Sequence, residues 1–85
     1  MHEYAITKEL LRIAREKAKE NNLSFVKKIF LELGVLSGYE EDSIRYYFDE
    51  LKMGGDYLRS AELIVNESVG NEIKITSITG EKNGD

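Results

Sequence analysis

The sequence contains no cysteine and a single histidine, His2, and these two features narrow the chemistry that the chain can support. Without cysteine, disulfides, thiolate metal sites and thiol nucleophiles are excluded. With one histidine, a metal site built from several imidazoles within one chain is excluded too. Proline is also absent, so glycine is the only strong signal for breaks between elements.

Long apolar runs and an excess of positive charge are missing as well. The longest apolar runs are far shorter than the about 20 residues that a membrane-spanning helix needs, and the N-terminus lacks the apolar centre of a signal peptide. The 12 basic and 16 acidic residues give a net charge of −4, which provides no attraction to nucleic acid or anionic lipid. We therefore expect a cytoplasmic protein with no nucleic-acid and no membrane partner.

The apolar residues that are present suffice for one small core. They make up 41% of the chain, against 33% charged residues, which is typical of a folded soluble protein. A chain of 85 residues without internal repeats or a linker has room for one domain. We expect residues 1–85 to form a single domain.

Two segments have helical periodicity. Asn21-Asn22 predicts the end of the first helix. Between residues 3 and 21 the apolar positions follow the i, i+4, i+7 spacing of one helix face: Ile6, Leu10, Ile13, Ala14, Ala18. The second helix begins near Glu40 with three acidic residues that offset the positive end of the helix dipole. It ends at Gly54-Gly55, and its apolar stripe is Ile44, Tyr47, Phe48 and Leu51.

Three segments alternate apolar and polar residues and therefore predict strands, over residues 24–33, 61–65 and 73–78. We expect the last two to form a hairpin through a turn at 66–71 and the tail 81–85 to fray. The order α-β-α-β-β predicts an α+β fold with a small three-stranded mixed or antiparallel sheet packed by two helices. An exposed edge in so small a sheet also suggests a homodimer.

Met1-His2-Glu3 carries the chemistry that distinguishes this chain. A free α-amine followed by histidine can chelate a metal through the amine, the His2 backbone nitrogen and the imidazole. The backbone nitrogen of Glu3 would complete four donors in a plane, an arrangement that suits Ni(II) or Cu(II) better than Zn(II). Because the motif is common at chain termini, it needs support from the rest of the sequence.

That support comes from a family resemblance. Met1-His2-Glu3, the helix after it, the segment Leu-Glu-Leu-Gly-Val-Leu-Ser at 31–37 and the helix near Glu40 resemble the HypA family of hydrogenase nickel-incorporation proteins. The resemblance covers about the first 65 residues, and the segment 70–75 is similar to the last strand of the family. It implies that Met1, His2 and Glu3 bind Ni(II).

The resemblance further implies a metallochaperone without enzymatic activity. Its expected partners are the GTPase of nickel–iron hydrogenase maturation and the hydrogenase large subunit, and in some organisms the nickel serves urease. Family members carry a zinc-binding segment with two Cys-x-x-Cys pairs between the last two strands. Here that place holds only the short turn 66–71, so no zinc site is expected. The segment was either removed by design or is naturally absent.

Several alternatives remain open at this stage. Glu40 could accept a hydrogen bond from the His2 ring, although the start of a helix explains the acids at 40–42 equally well. Tyr46, Tyr47 and Phe48 suggest a partner-binding aromatic patch, but Tyr47 and Phe48 also fit a core with Tyr46 partly exposed. The competing function is a metal-free α/β interaction or engineered scaffold domain. Enzymatic activity lacks a nucleophile and base pair.

Overall fold

The computed structural model describes residues 3–53 and 57–82, which form two helices and a three-stranded sheet. In chain order the elements are α1 (Glu3–Glu20), β1 (Leu23–Gly34), α2 (Glu41–Lys52), β2 (Glu62–Ser68) and β3 (Ile73–Lys82). The predicted α+β class and element order are confirmed. Neither described helix is long and apolar enough to cross a membrane.

One face of α1 packs into the core. Leu10, Ala14 and Ala18 are buried as the periodicity predicts, and Leu11, which lies outside the predicted apolar positions, is buried too. The helix ends where it was expected to, because Asn22 has a φ of 57° and thus leaves the right-handed helical conformation. The amide side chain of Asn21 donates a 2.8 Å hydrogen bond to the carbonyl of Lys17, a carbonyl in the last turn.

α2 lies against α1 and contributes Ile44 and Phe48 to the same core. Tyr47 is half-buried and Tyr46 is 60% exposed. The interpretation of Phe48 as a core residue and Tyr46 as a partly exposed one is therefore confirmed. The predicted stop at 54–55 lies outside the described residues.

The sheet has the order β2-β1-β3, with β1 in the centre, and the predicted hairpin between β2 and β3 is therefore wrong. β2 pairs with β1 in parallel and β3 pairs with β1 in antiparallel orientation. The crossover through α2 returns the chain parallel to β1. β3 then occupies the other edge of β1. The turn predicted at 66–71 is also displaced, because β2 runs to Ser68 and the link consists of residues 69–72. Alternation within a strand does not specify which strand is its neighbour.

The link between β2 and β3 crosses the end of β1 and hydrogen-bonds to it. The amide of Gly34 donates to the carbonyl of Glu72 at 2.7 Å, and the amide of Val35 donates to the carbonyl of Ser68 at 2.9 Å. A Cβ at Gly34 would lie 2.3 Å from the carbonyl oxygen of Gly70. Glycine is therefore required at the end of β1 because the backbone of the link passes too close for any side chain.

Two cations of α2 cover part of the free edge of β2. The Ser68 carbonyl accepts a hydrogen bond from Val35 and so points to the β1 side of β2. The carbonyls of successive residues in a strand point alternately to its two edges, so the Leu63 carbonyl faces away from β1. Arg45 Nη1 donates to the Leu63 carbonyl at 2.9 Å, and Lys52 Nζ donates to the Ala61 carbonyl at 3.2 Å. These contacts protect an edge that a strand-paired dimer would need.

β3 continues through Lys82, so the expectation of a frayed tail is wrong for residues 81 and 82. Glu81 pairs with Phe25 of β1, and its carbonyl accepts a 3.2 Å hydrogen bond from the hydroxyl of Ser24. The long central strand needs a partner along its first half, and these polar residues provide it through their backbone. Residues 83–85 lie outside the described part of the chain.

Candidate metal centre

The predicted nickel ligands occupy the start of the chain and the start of α1. Met1 and His2 lie outside the described residues, whereas Glu3 is the first residue of α1. The first four N–H groups of an α-helix have no acceptor within the helix. Using the Glu3 backbone nitrogen as a ligand would therefore break no helical hydrogen bond.

The side chain of Glu3 is buried, with 7% of the residue exposed. Its Oε2 accepts a 3.1 Å hydrogen bond from the backbone N–H of Glu40. A buried carboxylate is unfavourable unless it is hydrogen-bonded, and this bond offsets part of the desolvation. The contact fixes the residue directly after Met1-His2 to the junction between the first strand and the second helix.

Glu40 is the N-cap residue of α2 and has an extended backbone, with φ −105° and ψ 133°. Its carbonyl accepts a 3.1 Å hydrogen bond from Ile44 N–H, while its side chain forms no cap hydrogen bond. Glu41 and Asp42 follow in the first turn, where carboxylates offset the positive end of the helix dipole. The part of Glu40 that contacts Glu3 is thus its backbone, and its carboxylate is exposed.

A surface depression of about 360 Å³ lies beside this junction. We call it the acidic hollow, because its lining includes the carboxylates of Glu40, Glu41, Asp42 and Glu67. Within residues 3–53 and 57–82, no three His, Cys, Asp or Glu side chains converge as a metal-ligand set.

Tyr4 follows Glu3 in α1 and connects α1 to α2 through aromatic contacts. The rings of Tyr4 and Tyr47 pack edge to face with centroids 5.4 Å apart, and those of Tyr46 and Tyr47 pack in the same way at 5.2 Å. Edge-to-face packing is a favoured arrangement of aromatic pairs. The half-buried Tyr47 thus supports two more exposed tyrosines close to the N-terminus.

Tyr4 also lines a groove of about 470 Å³ along the exposed side of α1. We call this surface the α1 face and define it by four residues: Tyr4, Lys8, Arg12 and Arg15. Arg12 contacts Glu9 at 2.6 Å and Glu16 at 2.5 Å. Its side-chain hydrogen bond lowers the pKa of the exposed Glu9 carboxylate from its ordinary value.

The family described as "Hydrogenase/urease nickel incorporation, metallochaperone, hypA" matches residues 1–79. The chain belongs to the HypA family. The match begins at Met1 and therefore includes the predicted ligands Met1, His2 and Glu3 as well as α1, β1, α2 and β2 in full. The family that the sequence resembles is thereby confirmed.

Individual HypA proteins agree with this assignment. The chain is 38% identical over 71 residues to the hydrogenase maturation factor HypA of Xanthobacter autotrophicus, a match that covers 84% of this chain and 62% of the relative. It is 38% identical over 65 residues to that of Aquifex aeolicus, covering 76% of this chain and 56% of the relative. The chain spans about three fifths of the length of the curated relatives that it matches.

Solved HypA structures share the fold at low sequence identity. The solution structure of the Ni metallochaperone HypA from Helicobacter pylori matches with a TM-score of 0.90 and 15% identity, over 98% of this chain and 100% of the other. A second solution structure of a HypA protein matches with a TM-score of 0.68 and 17% identity, over 100% of this chain and 73% of the other. At such identities the likeness shows the fold alone.

Sequence reasoning did not find the bond between the Glu3 carboxylate and the Glu40 amide. A signal for the burial of Glu3 was present, because Glu3 and Thr7 continue the spacing of Leu10, Ala14 and Ala18 toward the N-terminus. A polar residue on an apolar helix face indicates a specific hydrogen-bond partner or an unsatisfied group. The identity of the partner, 37 residues away, required the tertiary structure.

Proposed function

We propose that this chain is a nickel-binding module that holds one Ni(II) at its N-terminus and passes it to a nickel enzyme during maturation. The ligands are the α-amine of Met1, the backbone nitrogen and imidazole of His2, and the backbone nitrogen of Glu3. The observation that carries the proposal is the family match to hydrogenase and urease nickel incorporation, which begins at residue 1.

The four nitrogens form small chelate rings, so little chain entropy is lost when they close around the ion. A planar nitrogen field suits Ni(II), whereas Zn(II) prefers a tetrahedron. The bound ion offsets the cost of removing protons from two backbone amides. Release then proceeds by exchange of these ligands, one at a time, for those of an acceptor.

The anchoring of Glu3 supports this role, because it holds one end of the ligand segment in place. The carboxylate of Glu3 is bonded to the Glu40 amide, so the Glu3 backbone nitrogen starts from a restricted position. When the ion binds, only Met1 and His2 then have to move into place. We further propose that the Glu40 carboxylate accepts the free ring N–H of a nickel-bound His2, as metal-bound histidines usually require.

Zinc has no place in this proposal. The chain has no cysteine, and four residues, 69–72, join β2 to β3 across the end of β1.

We propose that residues 1–85 form one nickel-binding domain in the cytoplasm, with no enzymatic activity. Its proposed partners are the GTPase of hydrogenase maturation and the hydrogenase large subunit. The similarity to hydrogenase maturation factors supports this choice.

The test is a nickel titration of protein whose intact mass shows an unmodified Met1. We expect one Ni(II) per chain and the yellow absorption band of a low-spin planar complex. Acetylation of the amine, extension of the terminus by one residue and His2→Ala should each abolish that band. Lys17→Ala, at an exposed position of α1 outside the site, is the matched control and should bind normally.

Strong binding that persists after all three changes to the terminus would rule out this ligand set. Absence of nickel binding by the unmodified chain would instead favour the alternative, a metal-free interaction or scaffold domain with the HypA fold. The Glu40 role is tested separately with Glu40→Gln. This variant should weaken nickel binding by about tenfold while leaving the planar spectrum in place.

A further inference from the structure

We propose that the α1 face is the docking surface for an acidic segment of the protein that exchanges nickel with this chain. This inference rests on the proposed nickel function and adds the chemistry of the partner to it. The α1 face consists of Tyr4, Lys8, Arg12 and Arg15, and Tyr46 of α2 adjoins it through Tyr47. Three independent properties of this surface lead to the proposal: its position, its charge and its aromatic side chains.

The α1 face begins at Tyr4, directly next to the segment proposed to hold nickel. Transfer by ligand exchange requires the acceptor's donor atoms to reach the ion while this chain still holds it. The acceptor must therefore contact the surface that surrounds residues 1–3. Tyr4 directly follows the ligand segment, and at 1.5 Å per residue Lys8 and Arg15 lie about 8 Å and about 18 Å along the helix from Glu3.

The charge of the α1 face is opposite to that of the whole chain. The groove is lined by three cations and one carboxylate, whereas the chain carries a net charge of −4. Arg12 is already paired with Glu9 and Glu16. Neither Lys8 nor Arg15 forms an ion pair with any described residue, so both remain available to carboxylates of a partner.

The acidic hollow is excluded as the contact for an acidic partner, because its own charge is negative. The acidic hollow presents four carboxylates on the α2 side of Glu3 and would repel an acidic segment. The acidic hollow includes Glu40, the hydrogen-bond partner of Glu3, and the α1 face includes Tyr4, the next residue in the chain. Their opposite charges would therefore also orient an approaching partner. Steering of this kind raises association rates and weakens with salt.

The aromatic side chains supply the apolar part of the contact. Tyr4 is 49% exposed, and Tyr46 is exposed beside the same tyrosine, Tyr47. Tyrosine and arginine are enriched in protein interfaces, and tyrosine contributes a large rigid area with little loss of conformational entropy. The combination of supported tyrosines and free cations fits a peptide segment with carboxylates around an apolar residue.

The first experiment uses the metal-free chain of 85 residues, labelled with ¹⁵N. A short glutamate-rich peptide with a central leucine is titrated in at low ionic strength, and its lysine-rich counterpart serves as the control ligand. We expect amide shifts that centre on residues 4–15 and 46–47 with the glutamate peptide, and no such shifts with the lysine peptide. High salt should abolish the shifts.

Variants then assign the contact to individual side chains. Lys8→Glu/Arg15→Glu should weaken binding of the glutamate peptide by about tenfold or more. Lys17→Glu/Arg59→Glu changes the charge of the chain by the same amount, with the same residue types at two exposed positions outside the α1 face, and should retain most of the binding. Tyr46→Ala should weaken binding without any change of charge. Because Arg15 is half-buried, Lys8→Glu alone serves as the variant that leaves the fold undisturbed.

The proposal would be overturned by no binding, by shifts centred elsewhere on the chain, or by equal weakening by the two charge-reversal variants. Salt-sensitive self-association through the α1 face and the acidic hollow would also overturn it, by assigning the face to a second copy of this chain.

A second experiment measures nickel transfer from the loaded chain. Two acceptor peptides carry the same histidine chelating group, one flanked by glutamates and one by lysines. We expect faster transfer to the glutamate peptide, and loss of that preference in Lys8→Glu/Arg15→Glu. Equal rates for the two peptides would contradict the docking surface. Failure of the chain to bind nickel would contradict the proposed function and leave the metal-free titration as the test of docking.

Discussion

The carboxylate of Glu3 accepts a 3.1 Å hydrogen bond from the backbone N–H of Glu40, which joins the first residue of α1 to the residue that precedes α2. The two residues are 37 positions apart in the chain. The bond therefore couples the segment proposed to hold nickel to the packing of the two helices. Its loss should be visible both in stability and in metal binding.

Replacing Glu3 tests this coupling. Glu3→Ala should lower the free energy of unfolding by about 1–3 kcal/mol, because it leaves the Glu40 amide without its partner. It should also weaken nickel binding, because the Glu3 backbone nitrogen is no longer held. Glu3→Gln retains an oxygen acceptor and should resemble the parent in both urea unfolding and nickel titration. Equal effects of the two substitutions would contradict the role of the hydrogen bond.

Nickel affinity should increase with pH. The α-amine and imidazole, with ordinary pKa values of about 8 and about 6.5, must lose protons before they can bind, and two backbone amides lose theirs on binding. Nickel binding therefore releases protons, and raising the pH through this range favours the bound state. Calorimetry in buffers of different ionisation enthalpy measures the number released. An affinity independent of pH would be incompatible with an amine and amide ligand set.

Gly34 should tolerate no side chain, because the β2–β3 link crosses the end of β1. In Gly34→Ala the new Cβ would lie 2.3 Å from the Gly70 carbonyl oxygen and 2.9 Å from the Glu72 nitrogen. We expect a loss of about 3 kcal/mol in urea unfolding. Gly70→Ala is the control within the same link: its nearest neighbour would be the Ser68 hydroxyl at 3.7 Å, so stability should change little. Similar stability of both variants would show that the link can shift.

Thr7 should be replaceable by valine with a gain in stability. Its hydroxyl is buried without a hydrogen-bond partner among the described residues, next to a space of about 10 Å³ lined otherwise by apolar side chains. Thr7→Val removes the unsatisfied group at nearly constant volume and should raise the free energy of unfolding by about 1 kcal/mol. Thr7→Ser keeps the hydroxyl, removes a methyl group and should lower it by about 1 kcal/mol. Thermal unfolding should show a higher midpoint temperature for Thr7→Val and a lower one for Thr7→Ser.

Arg45 and Lys52 should limit association through the edge of β2. Arg45→Met/Lys52→Met keeps apolar side chains on α2 but removes the donors to the Leu63 and Ala61 carbonyls. We expect dimers at lower protein concentration in analytical ultracentrifugation. Lys17→Met/Arg59→Met removes the same charge from other exposed positions and serves as the control. Unchanged association of the Arg45 and Lys52 variant would show that these side chains do not protect the edge.

Local sequence patterns predicted the elements well. The spacing of Leu10, Ala14 and Ala18 defined the buried face of α1, and Asn21-Asn22 marked its end. Alternation located all three strands, because the side chains of a strand turn to opposite faces regardless of its neighbours. The acids at 40–42 located the start of α2. Each of these signals depends on residues close together in the chain.

Strand order could not be obtained in this way. The alternation of β2 and β3 is the same whether they pair with each other or with β1. Their positions follow from the crossover through α2 and from the close passage of the link over Gly34. The end of β3 was missed for a related reason: polar residues 81 and 82 join the sheet because the first half of β1 needs a backbone partner.

The sequence by itself determined the number and order of the elements, the family, and the terminal amine and histidine on which the nickel proposal depends. These properties lie in residue types and short spacings. Only the tertiary structure decided that β1 is central, that Glu3 is buried against the Glu40 amide, and that tyrosines of two helices meet beside the N-terminus. Contacts between residues distant in the chain arise when the elements pack, and no local pattern specifies them.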